Sequence, residues 1–325
     1  MKTVGKPLKT LAAVSVLGLV VAGCSSEGGA QDEGGAAAGE EYTIAMVTHE
    51  APGDTFWDKI RNGAEAAAAN HNITLNYSAD PDAGRQATLV QNAIDSGVDG
   101  LAVTLPTPDA IGPAAQDAVD AGIPVVAFNA GGDQYRDYGV SMYFGSNEDL
   151  AGQAVGTQLT ETGSTGKTVC VIQEQGQVQL ETRCAGVAKT YPNTEILYVN
   201  GRDLPSVQQT IGAKLQQDPS VTAIVALGAD IALAAQQSKE SAGSEAAIAT
   251  FDLNQDVAEQ IQSGGIAFSV DQQPFVQGYM AVTSLWLNIT NGNDIGGGGP
   301  VLTGPSIVDS SNIDAILPFT ENNTR

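Results

Sequence analysis

Polar side chains able to hold a hydroxylated molecule recur in this chain directly after short apolar runs. Asn129 follows residues 123–128, Glu174 follows 168–173, Asp230 stands just beyond 223–227, Asp252 follows 247–251 and Asp271 follows 267–270. The runs are rich in β-branched residues, the pattern of strands buried on both faces. Carboxylates and amides gathered at one sheet edge can accept from and donate to several hydroxyl groups at once. Arg183, with few acids near it in sequence, adds a planar fork suited to two hydroxyls. An aromatic partner lies near the start of the body, in IAMVTHEAPGDTFWDKIRNGAEAAAA, residues 44–69. There a strand (44–47) leads through a polar loop with Pro52 and Gly53 into an amphipathic helix marked by Phe56, Ile60, Ala64 and Ala67. Asp54 or Thr55 can act as its N-cap. The loop brings His49, Asp54, Phe56 and Trp57 together. Adjacent helix positions point about 100° apart, so one of Phe56 and Trp57 packs on the sheet while the other faces the crevice. An aromatic face covers the C–H side of a ring whose hydroxyls the polar groups bind, a combination that suits a sugar or polyol. The ordinary use of Asp or Asn at such places is to cap the next helix, and Asp256 is read that way.

The elements that must position these residues alternate in type. Strands at 73–77, 100–105, 123–128 and 143–147 are separated by helices at 85–95 and 111–121. The rhythm repeats with strands at 168–173, 195–199, 223–227, 247–251 and 267–270, and with helices at 150–162, 181–190, 206–217, 231–241, 256–263 and 274–288. A closing strand is expected within 301–308. This order predicts an α/β protein whose parallel sheets carry helices on both faces, with ligands beside the carboxyl ends of the strands. The body of about 285 residues exceeds the length at which one core usually divides, so two similar Rossmann-like lobes of about five strands each are expected.

Residues 1–23 read as a leader. Lys2, Lys6 and Lys9 precede an apolar stretch too short to span a bilayer. The leader ends in Val21-Ala22-Gly23-Cys24, which resembles a bacterial lipoprotein signal and implies acylation of Cys24 and attachment to the membrane by lipid. Residues 24–40, rich in Gly, Ala, Ser and acid, form a flexible tether. Without the leader lysines, eleven basic residues face 37 acidic ones, a formal charge of −26, which argues against nucleic acid or anionic lipid as partner. With Cys24 lipidated, Cys170 and Cys184 are an even pair in an oxidising compartment and are expected to form a disulfide. These two cysteines and the distant His49 and His71 lack metal-ligand spacing, and no metal or cofactor is expected.

The leader, DTFWDKIRNGAE, LPTPDAIGPAAQDAVDAGIPVVAFNA, FGSNEDLAGQAVG, RCAGV, LGADIALAA, TFDLNQDVAEQIQSG and SVDQQPFVQGYMAV, in this order along nearly the whole chain, resemble the ribose/galactose-type periplasmic sugar-binding proteins, the type I solute receptors of ABC importers. The resemblance implies two lobes joined by three crossovers, a sugar bound between them and closure about a hinge. It implies that Phe56 or Trp57 stacks on the ring, that Asp54 binds hydroxyls and that Arg183 and Asp252 take the places of the family's binding arginine and aspartate. Asn129 stands where the family often has Asp-Arg, Asp230 beside an Asn-Asp pair, and Asp271 and Gln272 at the crossover where a glutamine bonds the sugar. His49 and Glu174 have no counterpart and are candidates on position alone. Lobes of 41–146 plus 273–299 and 147–272 plus 300–325 follow, with an ABC permease as partner and a monomer as the expected state. The protein would then lie outside the cell membrane. No G-x-S-x-G elbow, phosphate loop or histidine triad supports an enzyme, and a repressor would lack the lipoprotein leader. A receptor signalling to a membrane sensor, or a binder of a nucleoside or furanose signal, would use the same cleft.

Overall fold

The computed structural model describes residues 40–325; the leader, Cys24 and the tether up to residue 39 lie outside the described residues. The first lobe opens with β1 (Tyr42–Thr48), α1 (Phe56–His71), β2 (Ile73–Ala79), α2 (Ala83–Asp95), β3 (Gly100–Val103), α3 (Pro108–Asp120), β4 (Val125–Phe128) and β5 (Met142–Ser146). The chain crosses into the second lobe through α4 (Glu148–Glu161), β6 (Lys167–Ile172), α5 (Val178–Thr190), β7 (Thr194–Tyr198), α6 (Leu204–Gln217), β8 (Val221–Ala226), α7 (Ala229–Ala242), β9 (Ala247–Phe251), α8 (Gln255–Ser263) and β10 (Phe268–Asp271). It returns with α9 (Pro274–Asn291) and β11 (Val301–Gly304), then crosses again to β12 (Ser306–Asp309) and α10 (Ile313–Glu321). The two six-stranded sheets have the orders β11-β5-β4-β3-β1-β2 and β12-β10-β9-β8-β6-β7. These orders superimpose term by term, so the lobes repeat one topology up to the direction of the last edge strand and are joined by three crossings.

Two features depart from the sequence reading. Residues 300–325 do not all go with the second lobe: β11 pairs in parallel with β5, and the crossing falls between Gly304 and Ser306. The second sheet is also not wholly parallel, because β12 runs antiparallel to β10. A chain that has just left one edge strand re-enters the other sheet at its edge, where a short reversed strand satisfies the exposed ladder of β10. Among the described residues no helix is long and apolar enough to cross a membrane.

Each sheet is buried on both faces. Along β1, Ile44 and Met46 pack under α1 and α9 while Ala45 and Val47 pack under α2 and α3, as alternation along a strand requires. This is why the strands read as unbroken apolar runs. The helix pairs that flank the crossings pack through glycine. A Cβ on Gly63 of α1 would lie 2.0 Å from the Phe275 carbonyl oxygen, and one on Gly278 of α9 would lie 2.0 Å from that of Ile60. In the second lobe, Gly152 of α4 and Gly186 of α5 make the equivalent approach. The disulfide Cys170–Cys184 ties β6 to α5, with a Cα–Cα separation of 5.8 Å. Closing a loop of this size is worth about 3 kcal/mol on the chain-entropy estimate.

Gly278→Ala should therefore lower the free energy of unfolding by about 1–3 kcal/mol, the cost of overpacking. Gly212→Ala, in α6 with open space around the missing Cβ, should be neutral or raise it by about 0.5–1 kcal/mol. Urea unfolding midpoints of the two variants check this, and equal shifts would show that the close approach of α1 and α9 is not what constrains position 278.

Candidate functional site

The carboxyl ends of the two sheets face each other across a cavity of about 320 Å³. Of the residues singled out from sequence, His49, Asp54, Phe56, Trp57, Asn129, Glu174, Arg183, Asp230, Asp252 and Gln272 line it; Asp271 does not. Asp271 is buried, but its Oδ1 accepts from the Gln273 backbone N–H at 2.8 Å and its Oδ2 from Arg325 Nε at 2.6 Å. Position 271 thus serves the crossing into α9 and anchors the last residue of the chain.

Two strand-end residues adopt left-handed backbone: Asn129 after β4 (φ 63°) and Asp252 after β9 (φ 67°). They occupy equivalent positions in the two lobes. Asn and Asp tolerate this conformation better than other side chains bearing a Cβ, and it turns both side chains out of the sheet into the cavity. Each is held in the same way. The Asn129 N–H donates to Phe144 O at 2.9 Å and its carbonyl accepts from the Tyr143 hydroxyl at 2.9 Å. The Asp252 N–H donates to Val270 O at 3.0 Å and its carbonyl accepts from Ser269 Oγ at 2.7 Å.

Gln272, at the crossing from β10 to α9, joins these two residues. Its Nε2 donates to Asp252 Oδ1 at 2.7 Å and its Oε1 accepts from Arg183 Nη2 and Gln277 Nε2, each at 3.3 Å. Gln277 Oε1 in turn accepts from Asn129 Nδ2 at 3.2 Å. Arg183, which has few acids near it in sequence, is paired with a more distant one, Glu148, whose Oε2 lies 2.5 Å from Nε and Oε1 3.2 Å from Nη2. Its guanidinium also sits 4.6 Å over the Phe251 ring. These bonds use Nε and Nη2, and the residue still lines the cavity. Phe56 and Trp57 meet at right angles with ring centroids 5.3 Å apart; Trp57 is buried against the first sheet and Phe56 is half-buried, yet both reach the cavity wall. Thr55 rather than Asp54 occupies the cap of α1, though Asp54 Oδ1 accepts from the Phe56 N–H at 3.0 Å. The cap of α8 is Asn254, not Asp256.

A run of amides, absent from the sequence-based set, completes one wall. His49 Nδ1 bonds Thr104 Oγ1 at 2.8 Å, and Gln179 Nε2 meets His49 Nε2 at 3.3 Å across the gap between the lobes. Gln179 Nε2 also donates to Gln177 Oε1 at 2.6 Å, and Gln177 Nε2 to Glu174 Oε2 at 2.7 Å. Gln179 Oε1 is buried without a partner. The only trace in sequence is the alternation QEQGQVQ over 173–179. Lys59, buried on α1, donates to Thr55 O at 3.4 Å. Among the described residues no group of His, Cys, Asp or Glu converges as metal ligands would.

Burial governs the charge states. It drives His49 down to about 3, with Arg183 adding to the effect, so the imidazole is neutral. It lifts Asp252 to about 6 against the opposing pull of Arg183 and the Gln272 amide. Asp54, crowded by both lobes and facing Asp252, Asp230 and Glu174, is lifted to about 7, but it stays in contact with the water of the cavity and is screened more than Asp252. Asp230 and Glu174 are also raised by burial.

Two parallel α/β lobes facing across a polar, aromatic-walled cavity define a bilobed solute-binding protein. The family model described as periplasmic binding protein domain matches residues 44–294, and the chain belongs to that family. More narrowly it is a type I periplasmic sugar-binding protein of the ribose/galactose type, a group of transport components without enzymatic activity. A xylose/arabinose-binding protein of Sulfolobus acidocaldarius is 26% identical over 215 residues, which cover 61% of this chain and 54% of that protein, about half its length. The ribose import binding protein of Bacillus subtilis is 23% identical over 74% of this chain and 80% of its own. A carbohydrate transporter structure from Acidothermus cellulolyticus, in complex with myo-inositol, is 55% identical, with a TM-score of 0.87 over 88% of this chain and all of that one.

Asp252→Asn keeps the left-handed backbone and removes the charge. The folded value near 6 lies above the ordinary 3.8, so the folded state holds this proton more firmly. This group's contribution to stability is therefore lost as pH rises from about 4 through 6. The melting temperature of the variant relative to the parent should rise across that interval and level off above it, in calorimetry without ligand. A difference constant with pH would mean that Asp252 is ionised normally.

Proposed function

We propose that this protein captures a cyclic polyol or monosaccharide, with myo-inositol the first candidate, and delivers it to an ABC permease from a lipid anchor at Cys24. The observation that carries the reading is the cavity: polar groups from both sheet edges and two aromatic rings surround a space suited to one small ring. A ligand with a hydroxyl on every ring carbon needs hydrogen-bond partners around its whole circumference. Asn129, Asp54 and His49 on one lobe and Asp252, Asp230 and Arg183 on the other would supply them, with Phe56 or Trp57 against the ring face. The myo-inositol complex of the 55% identical transporter supports the same ligand class.

Capture works by closure. The lobes already touch through Val178 N–H to Pro106 O at 2.9 Å and the Gln179–His49 contact. A ligand bonded to both lobes adds affinity for the closed form alone and so shifts the balance toward it. The closed face then docks on the permease.

A thermal-shift panel of myo-inositol, other cyclitols, pentoses and hexoses tests the ligand. A ligand specific for the folded state at a thousandfold excess over Kd adds about 4 kcal/mol, so myo-inositol or one close relative should raise the melting temperature by several degrees. No shift with any of them would overturn the reading. With the active ligand, Asp252→Asn should weaken binding roughly tenfold or more, as loss of a charge-assisted hydrogen bond does. For the anchor, Cys24→Ser should move the expressed protein from the detergent phase to the aqueous phase; equal partitioning of both forms would exclude a lipid on Cys24.

A further inference from the structure

A second cavity of about 390 Å³ opens between the lobes beside the first, and the two share Gln173, Glu174, Gln177 and Arg202. Its lining combines amides and a hydroxyl with small apolar surfaces: Gln86, Asn200 and Thr107 alternate with Pro81, Ala83, Pro106 and Val199. Behind its walls two amide oxygens, Gln86 Oε1 and Gln173 Oε1, are buried and have no partner among the described residues. Gln86 is held in place by its other end, which donates to Thr104 O at 2.8 Å. Buried polar atoms without partners are rare in folded proteins.

The charge of this space excludes an anionic occupant. Among the described residues Arg202 is the only cation of the lining; it lies near the Glu174 carboxylate, and Asp82 lines the same space. Arg202 is also the most loosely bonded part of the partition. Its Nη2 lies 3.5 Å from Pro81 O and 3.8 Å from Glu174 Oε1, and half of the side chain is exposed. The rest of the partition is firmly bonded through Gln177 and Glu174 at 2.7 Å.

From this juxtaposition we infer that the second cavity is a subsite for a second neutral, hydroxylated ring joined to the one in the main cavity, so that the protein takes glycosides of its ligand as well as the single ring. The inference rests on the polyol reading of the main cavity. The second ring enters over the Arg202 side chain, sets its C–H surfaces against Pro81, Pro106 and Val199, and donates hydroxyls toward the amides.

Titration calorimetry with myo-inositol and its α-galactoside, α-glucoside and α-mannoside tests this on the parent protein and on Ala83→Phe. Ala83 lines only the second cavity, so its replacement fills that space. At least one glycoside should bind the parent protein as tightly as myo-inositol does. Ala83→Phe should weaken that glycoside tenfold or more while leaving myo-inositol within twofold. Thr107→Tyr, at a second position confined to this cavity and without a capping bond to lose, should do the same if Ala83→Phe does not fold. Binding of myo-inositol with no glycoside, or equal weakening of both ligands, would overturn the subsite. If no single-ring polyol binds either, the reading of the main cavity has failed and the subsite falls with it.

Discussion

Two residues held in left-handed backbone, one at the same strand end of each lobe, are the constraint on which the cavity depends. A strand that continued in extended geometry past Phe128 or Phe251 would point the next side chain to one face of the sheet, toward a helix layer. The turn at Asn129 and Asp252 directs it into the gap instead. Such a turn costs on the order of 1 kcal/mol for a residue with a Cβ. Here it is offset by fixed bonds to the neighbouring strand, through both the N–H and the carbonyl of each residue. Because the donor hydroxyls of Tyr143 and Ser269 also stand at equivalent positions, the device is a property of the repeated topology and not of one lobe.

The electrostatics follow from this placement. Asp252 is brought to a nearly water-free position, and an isolated carboxylate there would simply keep its proton. The Gln272 amide and the Arg183 guanidinium offset part of that penalty, which is why the carboxyl settles near 6 and not higher. Arg183 is buried in turn and has Glu148 as its own partner. Removing one member of such a pair typically costs about 3–5 kcal/mol, so Glu148 belongs to the site although it is not part of the cavity lining. The cavity itself keeps more carboxylates than cations. That excess disfavours anions and suits neutral molecules rich in hydroxyl donors.

Much of this was legible in the chain. Strands sandwiched between helix layers must be apolar on both faces, so their runs stand out and the polar residue after each run marks the sheet edge. Ten of the eleven candidate side chains line the cavity, from both lobes, and that logic marked those that follow a strand. What it could not read were pairings between residues far apart in sequence. Glu148 lies 35 residues before Arg183, and Arg325 lies 54 residues after Asp271. Asp271 has the same local signature as Asp252, but it ends β10 in extended backbone, where the Gln273 N–H and Arg325 take up its carboxylate. The amides of 173–179 were missed because glutamine has no strong positional signal of its own. Their role depends on the opposite lobe, from which His49 reaches Gln179. The change of sheet between β11 and β12 was hidden for a similar reason, since two short strands separated by one residue look like a single irregular one.

The hinge shows how binding can be felt by the whole molecule. Gln273, an unusual residue for left-handed backbone, makes the turn from β10 into α9 at φ 54° and is fixed there by its Nε2 bond to Thr303 O at 2.8 Å. Thr303 stands in β11 just before the crossing to β12, and its Oγ1 donates to Gln272 O at 2.7 Å. A Cβ on Gly304 would lie 2.9 Å from Asp271 O and 3.3 Å from Ser146 Oγ, so all three crossings converge within contact of one another. Gln272 is therefore both a wall of the cavity and a bond of the hinge. A ligand that orders Asp252 and Arg183 acts on the Gln272 side chain, and the backbone carbonyl of the same residue ties two crossings together. The coupling between cavity and hinge is then carried by one residue through direct contacts, and it requires no longer path through the lobes.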